Sequence, residues 1–162
     1  MTLSKKVVLL GHFGVGKTSI FRRFIENEFS ETYKTTIGVQ IKKKDVTLAN
    51  GQTVTLILWD TEGYATIDEA RRIYLLGAHA ILYVFDLVRN DTYQEIYKEI
   101  GELEEEFDHV PIRKIGNKVD LVNSSSIHLP LREAKIKPDI LTSAKDNINI
   151  QNLFSDLTHD IF

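Results

Sequence analysis

The segment Gly11-His12-Phe13-Gly14-Val15-Gly16-Lys17-Thr18 constrains this chain more than any other stretch of it. It has the form G-x-x-x-x-G-K-[ST]. The β-branched apolar run Lys5–Leu10 before it reads as a buried strand. Ile20, Phe21, Phe24 and Ile25 behind it stand at helical spacing and predict a helix over Thr18–Asn27. Between a strand and a helix, glycines let the backbone curl so that successive N–H groups, from Gly14 through Val15 and Gly16 to Lys17, Thr18 and Ser19, face one phosphate. The helix N-terminus adds positive potential at the same point. Lys17 brings a mobile charge for the β and γ phosphates, and the Thr18 hydroxyl is a ligand for Mg²⁺. A glycine-rich turn arising by chance is the alternative, and the register of strand, loop, Lys-Thr and helix argues against it.

The rest of the chain alternates in the same way. Val39–Leu48 and Thr53–Trp59 flank Ala49-Asn50-Gly51, a hairpin turn signal, and predict an antiparallel pair. Ala80–Phe85, Pro111–Ile115 and the short Asp139–Leu141 read as further buried strands. Asp91 or Thr92 is the expected cap of a helix carrying Tyr93, Ile96, Ile100, Leu103 and Phe107. A short helix is expected around Leu131–Lys135, and Ile150, Leu153, Phe154, Leu157 and Ile161 mark a last one. Apolar strands separated by helices imply an α/β domain with a mostly parallel sheet covered on both faces, the hairpin adding one antiparallel edge strand. At 162 residues one domain over 1–162 is expected. The chain has no Cys, which excludes disulfides, Cys-ligated zinc, thiol catalysis, prenylation and palmitoylation, so no direct lipid anchor is expected. A net charge of -3 makes no case for nucleic acid or an anionic membrane, and no apolar run is long enough to span a bilayer, so the expected location is cytoplasmic.

The phosphate loop says nucleotide without saying which, because nucleotide kinases, ATPases and GTPases share it. Asn117-Lys118-Val119-Asp120 narrows the choice, since it looks like the N-K-x-D box of GTPases. A carboxylate at Asp120 accepts two hydrogen bonds from the N1–H and N2 amine of guanine, a pair of donors adenine lacks. Lys118 would lie along the base, and Asn117 would tie the loop to the phosphate side. With the phosphate loop, a Thr-bearing loop, Asp60-Thr61-Glu62-Gly63, this box and Thr142-Ser143-Ala144-Lys145 in order, the chain resembles a Ras-superfamily small GTPase along nearly its whole length. Tyr33–Val39, Trp59-Asp60-Thr61 and Gly77-Ala78-His79 make it most similar to the Rab branch. The resemblance implies a six-stranded P-loop NTPase fold that binds GTP and GDP with Mg²⁺. It implies that Ala144 offers its N–H to the guanine O6 with Ser143 and Lys145 in support, that Thr36 and Asp60 join Thr18 at the metal, and that Gly63 N–H meets the γ-phosphate. Thr35 competes with Thr36, and its plainer reading is an exposed hydroxyl.

Two residues depart from the pattern. Tyr64 stands where the family usually has the Gln that orients the attacking water. Phe13 stands where Rab proteins usually have a small residue, and a benzyl group there crowds the γ-phosphate edge. Slow hydrolysis is expected, with Lys17, Thr36, Gly63 and Tyr64 as the catalytic positions. Glu62, Asp68, Glu69 and Arg71 are the nearby candidates for positioning water instead. Glu62 also replaces the usual Ala; it points outward, or else it weakens GTP binding or recruits a cation. Ile41, Trp59 and Tyr74 match the apolar trio that Rab-like proteins present to effectors, and Trp59 and Tyr74 equally suit packing of the sheet against the switch. An exchange factor and an activating protein are the other partners the resemblance implies. The expected function is a GTP-hydrolysing switch; the rivals are a GTP-binding interaction module with little turnover and, against Asp120, a nucleotide kinase. Asp86 reads as the cap of a turn, Glu102–Glu106 as a solvated face, and the five His show no ligand spacing.

Overall fold

The computed structural model describes residues 3–63, 72–123 and 125–162. The strands are β1 (Leu3–Leu10), β2 (Val39–Thr47), β3 (Thr53–Thr61), β4 (Ala80–Asp86), β5 (Ile112–Asn117) and β6 (Ile140–Thr142). The helices among these residues are α1 (Lys17–Glu26), α2 (Ile96–Glu106), α3 (His128–Glu133) and α4 (Ile150–Ile161), with single 3₁₀ turns at Ile73–Leu75, Asn90–Thr92 and Val119–Leu121. The sheet order is β2-β3-β1-β4-β5-β6. Every neighbouring pair is parallel except β2 with β3. This is the α/β architecture expected from the alternating pattern.

Val7–Leu10 of β1 and Ala80–Phe85 of β4 are continuous apolar runs because both of their faces are covered. Val7, Leu9, Leu82 and Val84 point to one layer, where Ile20, Phe21 and Phe24 of α1 meet Leu153, Phe154 and Leu157 of α4. Phe24 and Phe154 stack with ring centroids 3.9 Å apart, joining the two helices. Val8, Leu10, Ile81, Tyr83 and Phe85 point to the other layer, against Ile96, Ile100 and Leu103 of α2 and Leu131 of α3. The parallel strands therefore deliver their C-terminal ends, and the loops that follow, to one edge of the sheet. Ligands of open α/β sheets bind at that edge.

The expected cap of α2 is corrected. The segment Asn90–Thr92 is a 3₁₀ turn, and α2 begins only at Ile96, with Glu95 before it making no side-chain cap bond. Tyr93 thus precedes the helix; its ring packs on Phe85 and its hydroxyl donates to Asn90 Oδ1 at 2.6 Å. The hydroxyl of Thr92 is taken up elsewhere: it accepts from the Asp86 N–H at 3.0 Å and donates to the Arg89 carbonyl at 2.7 Å, fully buried. Thr92→Val keeps the shape and removes both bonds. It is expected to cost about 1–3 kcal/mol by stranding a buried amide, read as a lower urea midpoint at unchanged slope.

Candidate functional site

The loops at the C-terminal ends of β1, β3, β5 and β6, with the 28–36 segment, surround a cleft of about 400 Å³. Gly14, Gly16, Lys17, Thr18, Ser19, Asn117, Lys118, Asp120, Ala144 and Lys145 all line it, as do Thr36 and Gly63. Val15 and Ser143 are fully buried behind the wall. Gly16 takes φ 102 at the start of α1, a conformation that strains other residues, and a Cβ there would collide with the Asn117 amide. Lys17 is almost fully buried and its Nζ donates to the Gly11 and His12 carbonyls, each at 2.8 Å, so its charge lies over the loop.

One side of the cleft is built around Asn117. Its Nδ2 donates to the Val15 carbonyl at 3.0 Å, while its Oδ1 accepts from Thr142 Oγ1 at 3.1 Å and Ala144 N at 3.3 Å. One buried amide thus joins the phosphate loop to the Thr142–Lys145 loop. Ser143 Oγ donates to Asp120 Oδ1 at 2.6 Å and accepts from Asp146 N at 2.9 Å, which orients the carboxylate. Lys118 Nζ donates to the Gly14 carbonyl at 2.8 Å, and Lys145 Nζ lies 3.1 Å from Glu31 Oε1 across the cleft mouth.

On the other side three segments converge. Thr18 Oγ1 donates to Asp60 Oδ2 at 2.6 Å and lies 2.7 Å from Thr36 Oγ1, whereas Thr35 is exposed. Burial pushes the Asp60 carboxyl up to about 6, against the opposing pull of the Thr18 hydroxyl and the Lys17 charge. Its Oδ1 is buried without a hydrogen-bond partner among the described residues. Oxygens 2.6 and 2.7 Å apart come near the spacing of about 2.9 Å between adjacent corners of an octahedron with 2.0–2.1 Å arms, and hard oxygen donors around an underused buried carboxylate suit Mg²⁺. The residues present therefore fit the ion.

A family model of the Ras family matches residues 6–162. Among curated relatives, the Ras-related protein Rab-25 of Homo sapiens is 35% identical over 97% of this chain and 76% of its own length. The Ras-related protein rab-11.1 of Caenorhabditis elegans is 34% identical over the same shares. Rab-1D of Dictyostelium discoideum is 32% identical over 96% of this chain and 78% of its own. The chain belongs to the Ras family. It is a Rab-like small GTPase, and GTP binding is what that family shares.

In this Rab-like chain the two departures fall differently. Tyr64 lies outside the described residues, as do Asp68, Glu69 and Arg71. Phe13 is half-exposed, and its backbone and ring lie directly against Gly63: a Cβ on Gly63 would stand 2.5 Å from Phe13 Cα and 2.9 Å from its Cδ1. Glu62 is part-buried; its N–H donates to the Gly38 carbonyl at 2.8 Å, and the Gly38 N–H points to Glu62 Oε2 at 3.4 Å. Its carboxylate therefore faces the 28–38 loop. Ile41 pairs with Trp59 across β2 and β3, and the Trp59 ring is tilted against Tyr74 at 6.3 Å, so the trio forms one patch. Lys6 Nζ covers the Trp59 ring at 3.7 Å and donates to the Leu76 carbonyl.

Sequence reasoning missed two supports. Asp86 does cap a turn, through Val88 N–H at 3.0 Å, but its other oxygen pairs with Lys118 Nζ at 2.7 Å and is fully buried. A charge closing an apolar strand beside an N-K-x-D box was the available signal. Arg23 donates from Nε and Nη2 to the Ala144 and Lys145 carbonyls, both at 2.8 Å. Nothing in its local pattern marks it, because it stands on an ordinary helix face.

Proposed function

We propose that this chain, as one G domain over 1–162, is a cytoplasmic switch that alternates between GTP and GDP with Mg²⁺ and hydrolyses GTP slowly. The meeting of Thr18, Thr36 and Asp60 carries the reading. Thr36 meets Thr18, which itself bonds Asp60, with the 28–38 loop drawn in, so a γ-phosphate that favours this arrangement would favour closure, and its loss would release the loop. In this reading the N–H groups of Gly14 to Ser19 and the Lys17 charge hold the phosphates, and Asp120 and Ala144 read the guanine, with Lys118 along its plane. Mg²⁺, when bound, neutralises charge on the β and γ phosphates. Ile41, Trp59 and Tyr74 offer the effector surface, and an exchange factor and an activating protein are the other partners of the switch.

Slow turnover follows from Phe13 closing over Gly63 and from a phenol at Tyr64 in place of a water-orienting amide. Phe13 also favours a second reading, a GTP-binding interaction module with very little turnover. Nucleotide extracted from purified protein, followed by single-turnover hydrolysis with Mg²⁺, separates them: GDP with slow conversion supports the switch, and retained GTP supports the module. The pair Phe13→Gly with Tyr64→Gln is expected to raise the single-turnover rate on the order of tenfold or more, since an aligned transition-state contact is worth at least that much. A wild-type rate equal to that of a Gln-bearing relative refutes slow turnover, and recovered ATP refutes the guanine assignment.

A further inference from the structure

Side chains hold the phosphate loop by its carbonyls. Asn117 takes that of Val15 at 3.0 Å and Lys118 takes that of Gly14 at 2.8 Å. A third side chain completes the series: Arg89 Nη1 donates to the Phe13 carbonyl at 2.7 Å. The bonds are trans, and across a trans peptide the C=O and the following N–H point in opposite directions. Carbonyls 13, 14 and 15 held by these donors therefore fix the N–H groups of Gly14, Val15 and Gly16 in the opposite direction, in a loop whose Gly14 and Gly16 line the cleft. Two of these restraints belong to the guanine-box motif. The third comes from the turn after β4, which no nucleotide motif contains.

Arg89 is itself fixed at both ends. Its carbonyl accepts from the buried Thr92 hydroxyl at 2.7 Å, and its Nη2 lies 3.2 Å from Asp91 Oδ2. A planar guanidinium serves both acceptors at once, which a lysine ammonium does less well. The same group stands 3.1 Å from where a side chain on Gly14 would begin, so its charge borders the loop that faces the phosphates. It also neutralises Asp91 at that rim. We propose that Arg89 is a positioning residue of the nucleotide site, aiming the Gly14 N–H and slowing nucleotide release. The inference rests on the nucleotide-binding reading above.

The test is Arg89→Met, which keeps the stem and removes the donors. Wild type and variant are loaded with fluorescent GDP and Mg²⁺, and the dissociation rate, the ³¹P resonance of the β-phosphate and the melting temperature are recorded. About tenfold faster release is expected, the loss of one hydrogen bond from a charged group, together with a displaced β-phosphate resonance. An unchanged release rate overturns the proposal. Faster release with an unmoved resonance and a lowered melting temperature also overturns it, because that is loss of local structure. Wild type that takes up no guanine nucleotide refutes the underlying reading, and this is seen before any variant is compared.

Discussion

Asn117→Ala is expected to weaken GDP binding by about 100- to 1000-fold. The side chain makes three bonds, to Val15 O, Thr142 Oγ1 and Ala144 N. Each is worth about 1 kcal/mol, and the buried carbonyl and hydroxyl left behind add to the loss, giving about 3–4 kcal/mol at tenfold per 1.4 kcal/mol. The loss falls on both ends of the cleft at once, since the same amide steadies the loop proposed for the phosphates and the one proposed for the base. Titration calorimetry with GDP measures it. Asn117→Asp is the informative companion: it keeps the acceptor for Thr142 and Ala144 and loses the donor to Val15, so it should retain part of the affinity. A weakening below tenfold in the alanine variant would show that the two loops hold their shapes independently.

Gly63→Ala should separate the two nucleotides. The added methyl meets Phe13 Cα at 2.5 Å and Phe13 N at 2.6 Å, and backbone cannot yield as a side chain does. The chain at Gly63 must retreat, taking its N–H away from the proposed γ-phosphate position. Losing one hydrogen bond to a charged group costs about 1.5–3 kcal/mol, so a non-hydrolysable GTP analogue should bind about 10- to 100-fold more weakly while GDP is little affected. Dissociation rates of the two ligands decide the matter; equal changes for both would place the damage in the loop as a whole.

The sheet was legible because Val7–Leu10 of β1 and Ala80–Phe85 of β4 bury both faces and so carry no charged interruption. Its ends were less so. Asp60 and Thr61 belong to β3, pairing with Gln40 and Val39, although an acidic residue is a poor local sign of a strand. The helix expected from Asp91 or Thr92 starts later because Thr92 bonds back to β4, a partner six residues away that no periodicity reveals. The motif residues were legible because phosphate and guanine demand particular side chains at particular spacings. Arg23 and Arg89 were not, and Asp86 was legible only as the cap of its turn. Arg23 and Arg89 act on main-chain carbonyls 76 to 122 residues away in the chain, and every residue owns a carbonyl, so neither end leaves a signature.

Arg23 has a consequence for which ligands the cleft admits. α1 starts at Lys17, under the phosphate loop, and Arg23 grips the Ala144–Lys145 backbone from the same helix. Six residues of helix separate the two attachments, a rise of about 9 Å. The helix is thus a ruler laid between two walls of the cleft. A rigid ruler rejects by length as well as by chemistry: a ligand whose two ends stand at another spacing can satisfy one loop but not both.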